Sequence, residues 1–223
     1  MKITISKENY LKAIAEAHAE GETVIAATLA RWLNVSPPAV TMAIRRLKRD
    51  GFIEVDQSGH IELTADGKRI AERILHRHHL IERMLVEIFG MEWFKVHDEA
   101  ERLEHAVSED FEQLLIQKLG AGQPCAHGNQ AEISTPGERR KRGWQTLDQV
   151  PTPSRVTVVS VYERDRQLLE YLDGLSVQPG AQLDILGRNY DETLSLKVDG
   201  NPVQIGASVA GKIWVKREPA AGG

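Results

Sequence analysis

The chain has 223 residues, of which 41% are hydrophobic and 27% are charged, which is typical of a globular protein of one or two domains. Its formal net charge of −4 excludes a globally basic nucleic-acid binder, so any DNA-binding surface must be local. No apolar run approaches the ~18 residues of a membrane span. The first residues lack the apolar core of a secretion signal, and the single cysteine, Cys125, cannot form an internal disulfide. We therefore expect a soluble, cytoplasmic, multi-domain protein without a membrane partner.

Residues 1–63 are predicted to form three amphipathic helices followed by a short hairpin. The first helix is expected to begin at Ser6 as its cap, and the second runs from about Ile25 to Leu33. Ser36-Pro37-Pro38 opens the third helix, since proline is tolerated in the first helical turn. Alternating apolar and polar residues around a turn at Gln57-Ser58-Gly59 predict the hairpin. This order of elements is that of a winged helix-turn-helix.

The third helix is basic within an acidic chain. Five basic residues and one acidic residue between Arg31 and Gly51 give a local charge of +4, which is the electrostatic footprint of duplex binding. A solvated helix in a winged helix that binds protein is the alternative. The residues expected to contact phosphates are Ser36, Arg45, Arg46, Lys48 and Arg49. Those expected at base edges, near the helix start that enters the major groove, are Pro38, Ala39, Thr41 and Met42.

A long helix is predicted from its cap at Thr64 to about Phe89. It carries apolar residues on more than one face, so we expect it to lie at a dimer interface. Two further helices are predicted, over about Trp93–Ala106 and Ser108–Leu119. The last of these is expected to turn four apolar side chains inward, namely Phe111, Leu114, Leu115 and Leu119.

These middle helices carry histidines and carboxylates at helical spacing. His78 and Glu82 are four residues apart, and Glu101, Glu104 and His105 follow an i, i+3, i+4 pattern, so each set shares one helix face. Imidazoles with carboxylates suit manganese or ferrous iron. The window 97–112 holds seven acids against one arginine, and these acids repel one another unless a cation lies among them. A metal site and a solvated acidic face both remain open on the residues alone.

The C-terminal third changes in composition. Residues 131–154 are rich in proline, glycine and charge, and we expect a linker whose basic run at 138–142 is solvated. Residues 155–217 show strand patterns with one short helix near 167–174. The tail 218–223 is expected to be disordered.

Three blocks of sequence together resemble the diphtheria-toxin-repressor family of metal-activated transcriptional regulators. They are SPPAVTMAIRRLKRDG, LTADGKRIAERILHRHHLIERMLVEIFG and VHDEAERLEH, in the family's order and spacing. The resemblance implies a mainly α protein with β structure. It would consist of a winged helix-turn-helix at 1–63, a helical metal-binding and dimerisation domain at 64–130, and an SH3-like (FeoA-like) small β-barrel at 155–217. It also implies a homodimer that binds operator DNA and is not an enzyme.

The same resemblance implies two metal ions in each subunit. One site would use Asn9, Glu101, Glu104 and His105. The other would use His78 and Glu82, with His97 as in the iron-sensing branch. In the manganese-sensing branch a Cys-x-His motif and a C-terminal carboxylate join this second site, and the matching residues are Cys125, His127 and Glu163.

Two positions separate this chain from the family's branches. Glu101 stands where the iron-sensing branch has a cysteine, and the harder carboxylate favours manganese. Asn9 stands where manganese sensors usually carry an aspartate, so the first site lacks a negative charge and should bind metal more weakly. Lys12 stands where some manganese sensors carry a second acid. The resulting interpretation is a Mn²⁺-activated repressor of metal-uptake genes, with Fe²⁺ as the alternative. A metal hydrolase would need a nucleophile or HExxH motif that the chain lacks, and a storage protein would not need the basic third helix.

Overall fold

The computed structural model describes residues 3–217, and its first part is a winged helix. Tyr10, Leu11 and Ile14 of the first helix form a buried core with Leu29 and Leu47 from the next two helices. Thr4, not the expected Ser6, precedes the first helix. The elements of this part are α1 (Ile5–Ala19), α2 (Ala26–Leu33), α3 (Pro37–Arg49), β1 (Ile53–Val55) and β2 (Ile61–Leu63).

A single helix, α4 (Ala65–Glu87), runs from the winged helix into the middle of the molecule. Thr64 caps it as predicted, accepting a hydrogen bond from the Gly67 amide at 3.1 Å. Its first half packs Ala71 and Leu75 into the core of the winged helix. Its second half contributes Ile81 to a separate core in the middle of the chain. The same continuous helix therefore belongs to two hydrophobic cores.

The middle core is completed by α5 (Val96–Leu103) and α6 (Glu109–Leu119), with a 3₁₀ turn at Trp93–Lys95. The expected helix over 93–106 is thus shorter and begins as this turn. Ser108 caps α6 by accepting from the Phe111 amide. Of the four α6 side chains expected to face inward, only Leu115 is buried, whereas Phe111 and Leu114 are 42% and 59% exposed.

The C-terminal module is one antiparallel sheet of six strands in the order β3-β8-β4-β5-β6-β7. Its strands and helices are α7 (Pro136–Lys141), β3 (Trp144–Thr146), β4 (Ser154–Val161), α8 (Arg166–Gly174), β5 (Gln182–Arg188), β6 (Leu194–Val198), β7 (Asn201–Ile205), α9 (Ala207–Ala210) and β8 (Ile213–Arg217). Alternating residues of these strands form a third core, which includes Leu183 and Val215. The predicted fold class, with an SH3-like module behind two helical domains, is confirmed.

The segment 131–154 differs from the expected linker. It forms α7 and β3, and β3 pairs with β8, so this segment is part of the sheet. In the run 138–142, which was expected to be solvated, four residues are exposed, but Arg139 is buried against the Trp214 ring. The physical reason is that Trp144, Leu147 and Val150 give the segment apolar surface to bury. The tail 218–223 lies outside the described residues.

None of the helices within residues 3–217 has the length and hydropathy of a membrane-spanning segment.

Candidate metal centre

Four buried side chains from three parts of the chain meet between the middle helices and the C-terminal module. Each of Glu82, Cys125, His127 and Glu163 offers one ligand atom, and these atoms all lie within 4.8 Å of one another. Glu82 lies on α4, and Glu163 follows β4 by two residues. This set is called the Glu82 cluster below.

The Glu82 carboxylate also faces two further imidazoles. Its Oε1 atom lies 3.1 Å from His78 Nε2, 3.2 Å from His97 Nδ1 and 3.3 Å from His127 Nδ1. His78, Glu82 and His97 thus form a second compact group of ligand atoms that shares Glu82 with the first. A carboxylate surrounded by nitrogen and sulfur donors is typical of a transition-metal site.

Cys125 and His127 lie in a tight turn that docks on β4. The Cys125 amide donates to the Asn129 carbonyl at 2.9 Å, and the Val161 amide donates to the His127 carbonyl at 3.0 Å. Gly128 adopts φ of +82°, and a Cβ there would lie 2.0 Å from the Val159 carbonyl oxygen. Only glycine fits this position, so Gly128 allows the turn to pack directly against the backbone of β4.

Hydrogen bonds fix the orientation of the ligand side chains. His127 Nε2 lies 2.9 Å from the Trp93 carbonyl, which only accepts, so Nε2 carries the proton and Nδ1 faces the cluster. The Asn129 side chain donates to Glu163 Oε2 at 2.6 Å. Neither Asn129 nor the Trp93 carbonyl was predicted from sequence, since a backbone acceptor leaves no sequence signal.

Burial and charge shift the pKa values in this region. Burial raises the pKa of the Cys125 thiol well above its usual range, and the neighbouring Glu82 and Glu163 raise it further. Burial alone would raise the pKa of Glu82, but His127 and His78 outweigh it and lower that pKa well below normal. Burial opposes protonation of His78, yet Glu82 and Glu104 raise its pKa to about 9. The Cys125 sulfur and the His78 imidazole therefore carry protons near neutral pH.

Of the other predicted set of metal ligands, Asn9, Glu104 and His105 lie together, whereas Glu101 lies apart from Asn9 and His105. Asn9 Oδ1 lies 2.6 Å from His105 Nε2, and that nitrogen lies 3.4 Å from Glu104 Oε1. His105 Nδ1 faces Glu8 at 3.1 Å, a contact that sequence reasoning missed. Glu101 is 44% exposed, and its nearest charged partners are Lys12 and Arg164.

Lys12 lies where this set meets the Glu82 cluster. Its Nζ atom donates to Glu104 Oε2 at 2.7 Å and lies 3.0 Å from His78 Nδ1. Burial alone would lower the pKa of Lys12, but Glu16, Glu104 and Glu101 outweigh it and raise that pKa. The lysine therefore keeps its positive charge inside the protein.

On the winged helix, every residue predicted to contact DNA is exposed. Pro37 begins α3 and Asp50 caps its end, and a 2.7 Å ion pair between Lys7 and Asp50 ties that end to α1. The Thr41 hydroxyl donates to the Pro37 carbonyl at 3.0 Å, so it presents mainly its methyl group outward. The outer face of α3 is therefore basic and exposed, and its C-terminal end is held against α1 by the Lys7–Asp50 ion pair.

Comparison with known families matches all three parts of the chain. Residues 2–61 match the iron dependent repressor N-terminal DNA binding domain, and residues 64–132 match the iron dependent repressor metal binding and dimerisation domain. Residues 145–217 match the FeoA domain. The iron-dependent repressor IdeR of Mycobacterium tuberculosis (strain ATCC 25618 / H37Rv) is 35% identical over 173 residues, covering 75% of this chain and 73% of that protein. The chain belongs to the diphtheria-toxin-repressor family.

Members of this family are metal-dependent transcriptional repressors and are not enzymes. The diphtheria toxin repressor of Corynebacterium diphtheriae (strain ATCC 700971 / NCTC 13129 / Biotype gravis) is 30% identical over 204 residues, covering 84% of this chain and 87% of that repressor. A solved manganese-dependent transcriptional repressor in complex with manganese superposes with a TM-score of 0.85 at 30% identity, covering 95% of this chain and 100% of its own. The manganese regulator SloR superposes with a TM-score of 0.76 at 28% identity, covering 97% and 100%.

The residues of the Glu82 cluster fit the metal that this family implies. Glu82 Oε2 is buried and has no hydrogen-bond partner within residues 3–217, which is costly unless a further ligand approaches it. One thiol, one imidazole and two carboxylates supply nitrogen, sulfur and oxygen donors to a divalent transition metal.

Proposed function

We propose that this chain is a Mn²⁺-activated, homodimeric, cytoplasmic repressor that binds palindromic operators of metal-uptake genes. The observation that carries the proposal is the Glu82 cluster. It joins a helix continuous with the DNA-binding part, a turn after α6 and the C-terminal module. Occupancy of this cluster would therefore act on all three parts of the chain together.

The metal ligands we propose there are Glu82, Cys125, His127 and Glu163, with His97 and His78 adjoining. His78 Nδ1 lies 2.7 Å from Glu104 Oε2, an arrangement in which a carboxylate orients a ligating histidine. A divalent cation bound there would hold the thiolate and neutralise the two carboxylates. A second and weaker site is proposed at Asn9, Glu104 and His105, because only one of these is an acid.

Manganese is proposed over iron on two grounds. Carboxylate and imidazole donors outnumber the single sulfur, and hard oxygen ligands suit Mn²⁺. Two structural relatives across nearly the whole chain are named for manganese. Fe²⁺ is the alternative, since relatives of 30–35% identity are named iron-dependent repressor and diphtheria toxin repressor.

The DNA-binding step follows from the α3 face. Arg45, Arg46, Lys48 and Arg49 would contact phosphates together with Ser36, while Pro38, Ala39, Thr41 and Met42 would meet base edges. Two such heads on a twofold dimer fit two half-sites of a palindrome. His105 would couple metal to this step, since it contacts both Glu8 and Asn9 of α1.

Capture of fragmented genomic DNA on the full chain, run without oxygen, tests the proposal. Parallel samples contain a chelator, Mn²⁺, Fe²⁺ or Zn²⁺. We expect retention with Mn²⁺ of fragments that map upstream of metal-transport genes. Equal retention with Fe²⁺ would favour the iron alternative, and retention that ignores metal would contradict the proposed switch.

The matched variant is Glu163→Gln, with Glu170→Gln on the exposed face of α8 as its control. The Glu163→Gln change keeps the shape of the side chain but removes an anionic ligand, so the Mn²⁺ midpoint for DNA retention should rise at least about tenfold. The control should keep the wild-type midpoint.

A further inference from the structure

Lys12 is a deeply buried lysine that contacts the candidate site. It lies on α1 and is 3% exposed, although lysine is almost never fully buried unless its charge is paired. Its ammonium faces Glu104 Oε2 at 2.7 Å, His78 Nδ1 at 3.0 Å and Glu101 Oε1 at 3.5 Å. The ammonium therefore lies between side chains of α4 and of α5 and its end: it donates to Glu104, pairs with the Glu101 carboxylate and lies next to the His78 imidazole.

Positive side chains lie between the three carboxylates near Lys12. Glu16 lies 3.9 Å from the ammonium on the same helix. Arg164, from the C-terminal module, contacts Glu16 at 2.7 Å and Glu101 at 3.4 Å. The three carboxylates Glu16, Glu101 and Glu104 are thus interleaved with two side-chain cations, and their mutual repulsion is relieved from within the chain.

We propose that Lys12 is a tethered cation that takes the place of a divalent metal ion between His78, Glu101 and Glu104. It docks α1 on α4 and α5 whether or not metal is bound elsewhere. The ammonium occupies the side of Glu104 that faces His78, so only the opposite oxygen remains for the weaker site with Asn9 and His105.

A consequence is that the inner position is closed to metal by the residue at position 12. Replacing the lysine by a carboxylate would remove the cation and add an oxygen ligand to His78, Glu101 and Glu104. The inference rests on the proposed function only in that both concern a divalent metal. It makes no use of DNA binding.

The first test measures how many Mn²⁺ ions the full chain binds, by equilibrium dialysis followed by metal analysis. We expect Lys12→Glu to bind one more Mn²⁺ per subunit than wild type. Lys12→Arg, which keeps the cation, should match wild type. An unchanged stoichiometry in folded, dimeric Lys12→Glu would overturn the proposal, and so would a gain in Lys12→Arg. A wild type that binds no Mn²⁺ would instead contradict the proposed function, and the gain of one Mn²⁺ in Lys12→Glu over wild type would still test the role of Lys12.

The second test uses only the wild-type chain and covers a variant that fails to fold. Lysines are acetylated with an N-hydroxysuccinimide ester and quantified by peptide mass spectrometry, with exposed Lys48 as the reference. Lys12 should react at least about tenfold more slowly than Lys48, because its reaction requires local opening. This protection should be the same in chelator and in Mn²⁺. Reactivity equal to that of Lys48, or reactivity that appears with Mn²⁺, would overturn the proposal.

Discussion

Cys125 is a proposed metal ligand whose protonation depends on its surroundings. Its Sγ atom lies 3.4 Å from Glu163 Oε2, and the residue is 5% exposed. Burial, Glu82 and Glu163 all raise the pKa of this thiol, so the proton stays on sulfur near neutral pH. Metal ligation requires the thiolate, so binding of a metal ion to Cys125, as proposed, would release this proton.

Mn²⁺ affinity should accordingly rise with pH. The donors that carry extra protons have raised pKa values, about 9 for His78 and well above normal for Cys125, so affinity is lost as pH falls below those values. Each proton released makes the association constant change about tenfold per pH unit. Competition with a metal-binding dye between about pH 6.5 and about pH 8, where folded proteins are generally stable, measures the slope.

Cys125→Ser is the matched comparison for that slope. A hydroxyl does not ionise in this range, so the variant should release about one proton fewer. Equal slopes for the two proteins would show that sulfur is not a ligand.

Among the helices, α6 carries exposed apolar side chains on one face. Phe111 and Leu114 are three residues apart and therefore share one side of the helix. Both are exposed, while Leu115 packs into the middle core. The sequence pattern alone predicted all of them inward, because periodicity does not distinguish the core of one chain from the interface between two chains. The matching family domain is named for dimerisation, and we propose that the exposed pair lies at the interface between two subunits.

Leu114→Arg should therefore weaken the dimer. A charge in an apolar interface costs about 2 kcal/mol or more, and we expect monomers at micromolar concentration by analytical ultracentrifugation. Circular dichroism should be unchanged, since the residue is 59% exposed within one chain. Gln113→Arg, at an exposed polar position on another side of the same helix, is the control, and a dimer that survives Leu114→Arg would place the interface elsewhere.

The sequence predicts the helices better than it predicts the strand β3 or the candidate metal site. Thr64, Ser108 and Pro37 are helix-start residues, and the structure places helices where they indicate. The strand β3 was missed because its three residues pair with β8 about 70 positions later, and a local pattern does not contain that partner. The Glu82 cluster required the family resemblance, since Cys125 and Glu163 lie far apart in sequence. Lys12 was noted only as a departure, because its partners come from other helices.

At the scale of the whole molecule, Arg164 connects the C-terminal module to the winged helix. Its guanidinium donates to Glu16 of α1 at 2.7 Å and to the Trp32 carbonyl at 3.2 Å, and it lies over the Trp32 ring at 4.8 Å. Glu163, one residue earlier, belongs to the Glu82 cluster. Two adjacent residues therefore link the two sites: Glu163 is a proposed metal ligand, and Arg164 contacts the winged helix.

Arg164→Gln should loosen this connection without removing a ligand. A coupling of about 1–2 kcal/mol corresponds to a roughly 5- to 30-fold rise in the Mn²⁺ concentration for half-maximal DNA binding. Fluorescence anisotropy with a captured operator fragment measures the midpoint. Arg166→Gln is the control, since Arg166 pairs with the surface acids Asp98 and Glu170. Equal midpoints for Arg164→Gln and wild type would show that the module is not coupled to the heads.

Because α4 is one continuous helix, a change in its direction at one end displaces the other end. Its 23 residues span about 34 Å, and a rotation of about 5° at one end displaces the other by about 3 Å. One end packs in the winged helix and the other in the middle core, and the His78–Glu82 turn lies between them. A small change in helix direction at the middle core therefore displaces the winged helix by a distance close to the rise of about 3.4 Å between successive phosphates of one DNA strand. In the proposed dimer, the angle of α4 would therefore set the distance between the two winged helices.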